Sequence, residues 1–231
     1  MPTITLSIVI PVYNERKSIN ILYGKIKNML KTFGEKSEII FLDDGSTDDS
    51  YKILQELSSI DENVRVFRHG TNQGQCKAVE KGFREARGET IVTMDGDLQN
   101  DPDDIPKLIS KLNEGFDVVC GWRWSRKDHW HKVLKSKIGN FFQRKITGLK
   151  IHDIGCSMRA YRRRIVKDII FQNKYEVSLL PLMLSRHTNR ITETKIKHYE
   201  RPFGESKYGF FKMSFGVIRD YIKLLKRLAH E

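Results

Sequence analysis

Two aspartates separated by one glycine have the spacing in this chain that most directly suggests chemistry. Asp95, Gly96 and Asp97 directly follow the apolar run IVTM at residues 91–94, and Gln99 comes two residues later. The glycine lets the backbone turn tightly, so both carboxylates can face one point. Oxygen ligands suit a hard cation such as Mg²⁺ or Mn²⁺, which bridges the phosphates of a nucleotide. We therefore predict a divalent metal held by Asp95, Asp97 and Gln99, with an acidic turn that caps a helix as the alternative.

Three further apolar runs also lead into polar clusters. Each run is short and rich in Ile, Val or Phe, and the clusters are PVYNE at residues 11–15, DDGS at 43–46 and NQGQ at 72–75. Ligands bind outside the carboxyl ends of the strands in open α/β sheets. Four polar clusters at one such edge therefore describe a site, in which Asp43 or Asp44 would accept hydrogen bonds from a base or a ribose.

Structural roles compete with these binding roles. Tyr13 is either a ring that packs on a base or an ordinary core residue. DDGS also has the composition of a turn that leads into a helix, because Ser46 with Asp49 three residues later resembles a capping box. The two interpretations of DDGS are compatible, with the serine capping the helix while an aspartate binds.

The elements that must position these clusters alternate along residues 1–120. Segments of helical periodicity separate five candidate strands, at residues 4–10, 38–42, 64–67, 90–94 and 116–120. In the first of these segments, six apolar side chains share one stripe: Ile19, Leu22, Ile26, Met29, Leu30 and Phe33. Pro102 suits the first turn of a later helix. This alternation predicts an α/β fold with a mostly parallel, Rossmann-like sheet and helices on both faces.

The second half of the chain has a different pattern. The expected elements are a basic helix at 132–147, a short irregular segment at 154–161, a helix at 165–171, an edge strand at 190–197, a mobile loop at 201–209 and an amphipathic helix at 211–231. Charge differs between the halves as well. The net charge of +12 combines a net of −5 in residues 1–120 with a net of +17 in residues 121–231. A basic face attracts the phosphates of nucleic acids, lipids or small molecules, although a merely well-solvated surface is the alternative.

The cysteine count and the hydropathy indicate the cellular compartment of the protein. Cys76, Cys120 and Cys156 are odd in number and widely spaced, which indicates neither a disulfide framework nor a zinc site and fits a reducing cytoplasm. The chain does not open with a basic segment followed by an apolar one, so we expect no signal peptide. It also lacks a run of about 18 apolar residues. We therefore expect a cytoplasmic protein whose contacts with the cytoplasmic face of the membrane are peripheral.

The polar clusters together resemble a known family. The segments LSIVIPVYNE, FLDDGSTD, NQGQ and TMDGDLQ are similar, in order and spacing, to the inverting glycosyltransferases of family two, which have the GT-A fold. GWR at 121–123, DIGCSMRAYR at 153–162 and RPFGESKY at 201–208 resemble its polyprenyl-phosphate branch, which includes dolichyl-phosphate mannose synthase. The resemblance implies a GT-A domain over residues 1–210, with a nucleotide-sugar half at 1–120 and an acceptor half at 121–210.

The resemblance also implies roles for individual residues. The catalytic residues would be Asp97, Arg123 and Asp153, and the metal ligands Asp95, Asp97 and Gln99. The nucleotide sugar would be bound by Pro11, Val12, Tyr13, Glu15, Asp43, Asp44, Gln73, Gly74, Lys77, Asp95, Gly96, Arg201 and Lys207. The acceptor phosphate would be received by Arg123, Lys132, Lys135 and Ser157. Asp153 stands where relatives with hydroxyl acceptors keep a base, and here it would orient a basic side chain or act as a weak base.

The implied reaction moves a hexose from a donor of the GDP-mannose or UDP-glucose type to a polyprenyl or dolichyl phosphate, with inversion of configuration. A lipid phosphate is already an anionic nucleophile, so it needs cations to position it more than it needs a strong base. A membrane surface would suit the helix at 211–231 and the tryptophans Trp122, Trp124 and Trp130. Ordinary packing is the alternative for both.

Three rival functions are open at this point. One is a family-two transferase that acts on a soluble glycan or a protein. A sugar nucleotidyltransferase also has a parallel sheet and acidic ligands, but it would have a Gly-rich phosphate loop where this chain has Pro11, Val12 and Tyr13. A nucleic-acid-binding protein would fit the charge, but the sequence contains no recognised binding module, so we expect no nucleic-acid partner.

Overall fold

Seven β-strands form one mixed sheet in the computed structural model, which describes residues 4–34, 36–125, 148–173, 176–204 and 223. The strands are β1 (Leu6–Val12), β2 (Ser37–Asp43), β3 (Val64–Arg68), β4 (Thr90–Thr93), β5 (Val118–Arg123), β6 (Arg159–Arg162) and β7 (Ile191–Ile196). The helices are α1 (Ile19–Phe33), α2 (Ser50–Ile60), α3 (Gln75–Glu85), α4 (Ile105–Asn113), α5 (Arg163–Val166) and α6 (Leu180–Leu184). Two 3₁₀ turns, Pro102–Asp104 and Glu176–Leu179, precede α4 and α6.

The sheet has a regular half and an irregular half, and its strand order is β3-β2-β1-β4-β6-β5-β7. Parallel ladders join β3, β2, β1 and β4, and a further parallel ladder joins β5 to β7. β6 runs antiparallel to both of its neighbours, β4 and β5. The insertion of β6 therefore separates the βαβ half from the two strands at the far end.

Helices bury both faces of the sheet. Along β1, Ile8 and Ile10 enter one apolar core together with Leu22 of α1, whereas Val9 enters a second core together with Phe83 of α3. A strand that is buried on both faces is apolar at successive positions rather than at alternate ones. Parallel packing of this kind brings the carboxyl ends of β1, β2 and β4 to the same edge.

The α/β fold and the mostly parallel sheet predicted from the sequence are confirmed. The five candidate strands of residues 1–120 are β1 to β5, with ends displaced by up to three residues. The edge strand expected at 190–197 is β7, which lies at the end of the sheet. Pro102 begins the first 3₁₀ turn, and the Asp101 side chain accepts a hydrogen bond from the N–H of Asp103 there.

Three local predictions are wrong. Residues 154–161 are not irregular throughout, because β6 begins at Arg159, a residue that is polar and yet almost fully buried. The helix expected at 165–171 is only the short α5, which ends at Val166. α2 begins at Ser50, so Ser46 does not cap it; the Ser46 hydroxyl accepts a hydrogen bond from the backbone N–H of Asn14 instead.

Several predictions fall outside the described residues. They concern the basic helix at 132–147, the part of the 201–209 loop that follows residue 204, and the helix at 211–231, of which only residue 223 is described. The division of the chain at residue 210 stays a prediction for the same reason. In the part of the chain that the structure does describe, no helix is both long and apolar enough to cross a membrane.

Candidate active site

The ends of β1, β2 and β4 are in direct contact with one another. The backbone N–H of Asp44 donates to the carbonyl oxygen of Val12 at 2.8 Å, and that of Met94 donates to the carbonyl of Val9 at 3.2 Å. Gly96 lies against the end of β1, since a Cβ atom built there would be 3.4 Å from the Pro11 carbonyl oxygen. The sequence clusters that follow these strands therefore converge at one edge of the sheet.

Asp95 is held by residues from both halves of the chain. Gln75 at the start of α3 donates from Nε2 to Asp95 Oδ1 at 2.8 Å, and the Ser157 hydroxyl donates to Oδ2 at 2.6 Å. Burial raises the pKa of Asp95, and the hydrogen bond from Ser157 and the positive charge of Arg123 oppose that rise. The first aspartate of the DGD turn is therefore fixed in one orientation.

The negative charge of Asp97 is also unfavourable where it lies. Burial, reinforced by the negative charge of Asp95, raises its pKa to about 7. The backbone N–H of Gln99 donates to Asp97 Oδ1 at 3.1 Å, and the guanidinium of Arg201 lies 3.5 Å from Oδ2. Two close carboxylates in a partly buried site are the electrostatic situation that a divalent cation relieves.

The donor set fits a hard cation that also binds a nucleotide. Among the described residues, no group of three or more His, Cys, Asp and Glu side chains is arranged to hold a metal ion. Mg²⁺ bound to a nucleotide takes one or two carboxylates from the protein and the remaining oxygens from phosphates and water. Asp95 and Asp97 fit that pattern. Gln99 remains a predicted ligand, and in the structure its Nε2 donates to the carbonyl oxygen of Tyr199 at 3.3 Å.

Arg201 reaches the part of the site that is predicted to bind the nucleotide sugar. We call this part the donor side, and it consists of Glu15, Asp43, Asp44, Asp95, Asp97 and Arg201. Its Nη2 forms an ion pair with Glu15, which follows β1, while its Nη1 faces Asp97. The segment before it is tethered, because Tyr199 donates its hydroxyl to Asp101 at 3.0 Å and its N–H to the carbonyl of Gln99 at 2.9 Å. Glu15 and Arg201, both assigned to donor binding by resemblance, therefore meet at one point.

Asp43 and Asp44 are both buried but have different partners. Asp43 accepts hydrogen bonds from the N–H of Ser46, and its Oδ2 lies 3.1 Å from Nε of Arg68. Asp44 accepts from the backbone N–H groups of Gln73 at 3.0 Å and Gly74 at 2.8 Å. Asp44 thus holds the NQGQ loop in place and with it the start of α3, from which Gln75 reaches Asp95. Binding of a nucleotide by Asp43 or Asp44 remains a prediction.

The other predicted donor residues line the same edge with different exposure. Val12 is buried in the core, where its side chain packs beside Gly96, whereas Pro11 and Tyr13 are partly buried. Gln73 is exposed. Lys77 forms an ion pair with Glu80 at 3.0 Å on the surface of α3, so this contact is made within its own helix rather than with another predicted donor residue.

The part of the site that is predicted to orient the acceptor phosphate contains one buried ion pair. We call this pair, Arg123 and Asp153, the acceptor side. Arg123 at the end of β5 donates from Nε to Asp153 Oδ2 at 2.6 Å and from Nη2 to Oδ1 at 2.8 Å. The Asp153 side chain is only 4% exposed and that of Arg123 15%. Both carboxylate oxygens accept from the same guanidinium, so the geometry favours the orienting role for Asp153 over the role of a base.

Ser157 lies between the two sides rather than on the acceptor side alone. Besides its bond to Asp95, its hydroxyl lies 3.3 Å from Asn100 Oδ1, and its carbonyl accepts from the Thr93 hydroxyl at 2.7 Å. The resemblance assigned Ser157 to the acceptor phosphate, and that remains a prediction. Lys132, Lys135 and Lys207 lie outside the described residues.

The family is established by comparison with known proteins. The model of the family described as "Glycosyl transferase family 2" matches residues 7–170, which is more than half of the chain. The chain belongs to glycosyl transferase family 2. A curated relative of Proteus mirabilis, undecaprenyl-phosphate 4-deoxy-4-formamido-L-arabinose transferase, is 39% identical over 209 residues. That match covers 90% of this chain and 64% of the relative, so the chain spans slightly less than two thirds of the relative's length.

Solved structures confirm the GT-A fold expected of a family-two member. One is glucosyl-3-phosphoglycerate synthase from Mycobacterium tuberculosis in complex with Mn²⁺, uridine-diphosphate-glucose and phosphoglyceric acid. Its TM-score is 0.74 at 20% identity, covering 96% of this chain and 79% of that one. A complex of the same enzyme with Mn²⁺ and uridine-diphosphate-glucose has a TM-score of 0.72, also at 20% identity, covering 96% of this chain and 78% of that one. At this identity the likeness establishes the fold.

Two residues of this family-two site were missed by the sequence reasoning. Gln75 belongs to the NQGQ motif, and the sequence indicates its role only through its position directly after Gly74. In the structure, the φ of 91° at Gly74 marks a sharp turn into α3. Arg159 is fully buried and donates to the carbonyl oxygens of Ile154 at 2.6 Å and Val177 at 2.7 Å. It thereby supports the loop that carries Asp153 and Ser157. A lone arginine in a short mixed run offers no comparable signal.

Proposed function

We propose that the protein is an inverting, metal-dependent glycosyltransferase that moves a sugar from a nucleotide-sugar donor to a polyprenyl phosphate. The observation that carries the proposal is the hydroxyl of Ser157, which donates to Asp95 from the loop that also carries Asp153. This contact joins the acidic cluster to the oriented Arg123. The name of the 39% identical relative, an undecaprenyl-phosphate sugar transferase, supports the same substrate class.

On the donor side, Asp95 and Asp97 would hold a divalent cation together with the donor diphosphate. When bound, Mg²⁺ or Mn²⁺ supplies charge that stabilises the leaving nucleoside diphosphate. Gln75 and Ser157 keep Asp95 in a fixed orientation, and Arg201 adds a positive charge beside Asp97. The two solved structures with this fold that contain Mn²⁺ and uridine-diphosphate-glucose support a divalent cation at such a site.

On the acceptor side, Arg123 would orient the attacking phosphate. Because the Asp153 carboxylate binds two nitrogens of the guanidinium, Arg123 keeps one orientation before the acceptor arrives. The acceptor phosphate is an oxyanion and needs no deprotonation, which agrees with a carboxylate committed to an arginine rather than available as a base. One displacement of the nucleoside diphosphate by the phosphate oxygen inverts the anomeric configuration. A lipid acceptor of this kind would place the protein at a membrane surface.

A transfer screen with matched acceptors tests the proposal. Wild-type protein with Mn²⁺ is incubated with UDP-glucose, GDP-mannose or the UDP derivative of 4-deoxy-4-formamido-L-arabinose, and each donor is offered three acceptors. These are a short-chain polyprenyl phosphate, the polyprenol of the same length and phosphoglyceric acid. We expect a lipid-linked sugar only with the polyprenyl phosphate and with at least one donor. Transfer to the polyprenol or to phosphoglyceric acid instead would overturn the proposed acceptor class.

A further inference from the structure

An aromatic and basic surface lies at the sheet edge next to the acceptor arginine. It consists of Trp122 and Trp124 at the end of β5, His152, and Lys195 on β7, and we name these four residues the aromatic edge. β7 is the outermost strand, and Trp122 is paired in register with Lys195. The surface is therefore at the border of the sheet rather than between two helices.

The aromatic edge is a stacked platform. The Trp122 ring lies flat on the His152 ring, with centroids 4.2 Å apart and planes 11° apart, and Trp124 meets Trp122 edge-on at 4.7 Å. Glu193 fixes the His152 end, because its carboxylate accepts from the backbone N–H of His152 at 2.6 Å. The Lys195 ammonium lies 3.7 Å from the centroid of the Trp124 ring. The rings are therefore held in place by their neighbours.

The outermost ring is left to the solvent. Trp124 is 60% exposed, although it is one of the two large aromatic side chains of the platform. Tryptophan accumulates where one part of its ring meets an apolar phase and another meets water, as at the headgroup level of a bilayer. A lysine beside it adds attraction to anionic headgroups. A partly exposed ring stack beside an exposed Trp–Lys pair is thus matched to an anionic lipid surface.

The aromatic edge is also continuous with the acceptor side of the site. Arg123 lies between Trp122 and Trp124 in the chain, and His152 directly precedes Asp153, the partner of Arg123. Residues 121–231 carry a net charge of +17, which favours an anionic partner for this half of the molecule. A bilayer in contact with the platform would therefore lie next to the segments that carry Arg123 and Asp153.

We propose that the aromatic edge rests in the headgroup zone of an anionic bilayer and so brings Arg123 to the phosphate of the lipid acceptor. The choice of a bilayer as partner rests on the proposed function, whereas the stacked, exposed platform is independent of it. Trp124 enters the interface, Lys195 pairs with anionic headgroups, and the Trp122–His152 stack keeps both at a fixed distance from Arg123.

Flotation with lipid vesicles tests this surface. Full-length wild type, Trp124→Ala and Lys195→Gln are compared on phosphatidylglycerol–phosphatidylcholine vesicles without acceptor or donor. We expect the partition coefficient to fall about tenfold for Trp124→Ala, from the loss of buried aromatic surface, and about fivefold for Lys195→Gln, from the loss of one charge. Ile60→Ala is the matched control, since Ile60 is 76% exposed but ends α2 at the opposite edge of the sheet, and it leaves the partition unchanged.

Transfer measured in the same preparations separates this proposal from the proposed function. With a water-soluble, short-chain polyprenyl phosphate, Trp124→Ala keeps the wild-type rate within about twofold, which also shows that the variant is folded. If the wild type and both variants bind vesicles equally, or if the wild type does not bind them, the membrane role of the aromatic edge is overturned. In both cases, transfer to the short-chain acceptor still supports the proposed reaction. If vesicle binding depends on Trp124 but no acceptor receives a sugar, the membrane role of the aromatic edge is supported and the proposed reaction is overturned.

Discussion

The donor side and the acceptor side of the site are assembled in different ways. On the donor side, the carboxylates of Asp44, Asp95 and Asp97 follow the parallel strands β2 and β4, and the strand pairing brings them to one edge of the sheet. On the acceptor side, Arg123 ends β5 while Asp153 lies in the segment before β6, and the two meet through their side chains. The donor side is therefore a property of repeated βαβ units, and the acceptor side is a property of tertiary packing.

The two sides also differ in how they treat charge. Asp95 and Asp97 repel each other in a partly buried place, which leaves a negative charge for a ligand to satisfy. Arg123 and Asp153 neutralise each other, so their contribution is orientation rather than net charge. If this contrast is correct, substitutions on one side change the metal and donor, and substitutions on the other change the acceptor.

The largest effect is expected at Asp97. Asp97→Ala removes a carboxylate next to Asp95, and we expect the transfer rate at saturating Mn²⁺ to fall about a thousandfold, because several kcal/mol of charge stabilisation in the transition state are lost. Initial rates with a labelled donor measure it. Asp103→Asn changes an exposed aspartate a few residues downstream and serves as the control, with a rate close to wild type. A variant of Asp97 that kept full activity would remove the basis of the donor side.

The next largest effect is expected at Arg123. Arg123→Gln should lower kcat/KM for the polyprenyl phosphate about a hundredfold, since a hydrogen bond to a charged group is worth about 1.5–3 kcal/mol and the variant loses the guanidinium that would orient the phosphate. The dissociation constant of the donor should change by no more than about threefold. Arg84→Gln, which removes an exposed arginine paired with Glu80, is the matched control and leaves both constants unchanged. Equal losses of donor and acceptor affinity in Arg123→Gln would erase the distinction between the two sides.

A smaller effect is expected at Gln75 and Ser157, the two residues that donate hydrogen bonds to Asp95. Gln75→Ala and Ser157→Ala each remove one hydrogen bond from this carboxylate, and we expect each to weaken Mn²⁺ binding about tenfold in the presence of donor, as for partners of metal ligands in general. Gln55→Ala, on the exposed face of α2, is the control. Titration calorimetry gives the affinities. A rise in the acceptor KM alone for Ser157→Ala would move this serine to the acceptor side.

The smallest effect is expected at Tyr199, which tethers the Arg201 segment. Tyr199→Phe removes the hydrogen bond to Asp101 and should cost about 1 kcal/mol of unfolding free energy. In a protein of this size that corresponds to a decrease in Tm of about 2–4 °C, measured by calorimetry. Tyr51→Phe is the control, because Tyr51 contacts Arg68 through its ring face and the phenylalanine keeps that contact. A Tm unchanged in Tyr199→Phe would mean that the tether adds no stability.

The difference between the sides also explains what the sequence could predict. The donor side was predictable because Asp95 and Asp97 follow a four-residue apolar strand, and a parallel sheet puts all such positions at one edge. β6 was not predictable, since the RAYR sequence is polar in pattern, while Arg159 is buried and donates to the carbonyl oxygens of Ile154 and Val177 in the segments on either side of it. The ion pair between Glu15 and Arg201 spans 186 residues, so no local pattern indicates it. Ser46 shows the opposite error, where a local capping pattern lost to a long-range bond with Asn14.

One titration tests the central claim most directly, namely that the acidic edge activates a sugar nucleotide for attack by a phosphate seated at Arg123. Protein freed of metal with EDTA and then dialysed is titrated with Mn²⁺ while transfer is followed to a short-chain polyprenyl phosphate and, in parallel, to the matching polyprenol. We expect product only with the phosphate, and its rate should rise from background to saturation with Mn²⁺. Product formation that is indifferent to both the metal and the acceptor phosphate would contradict it.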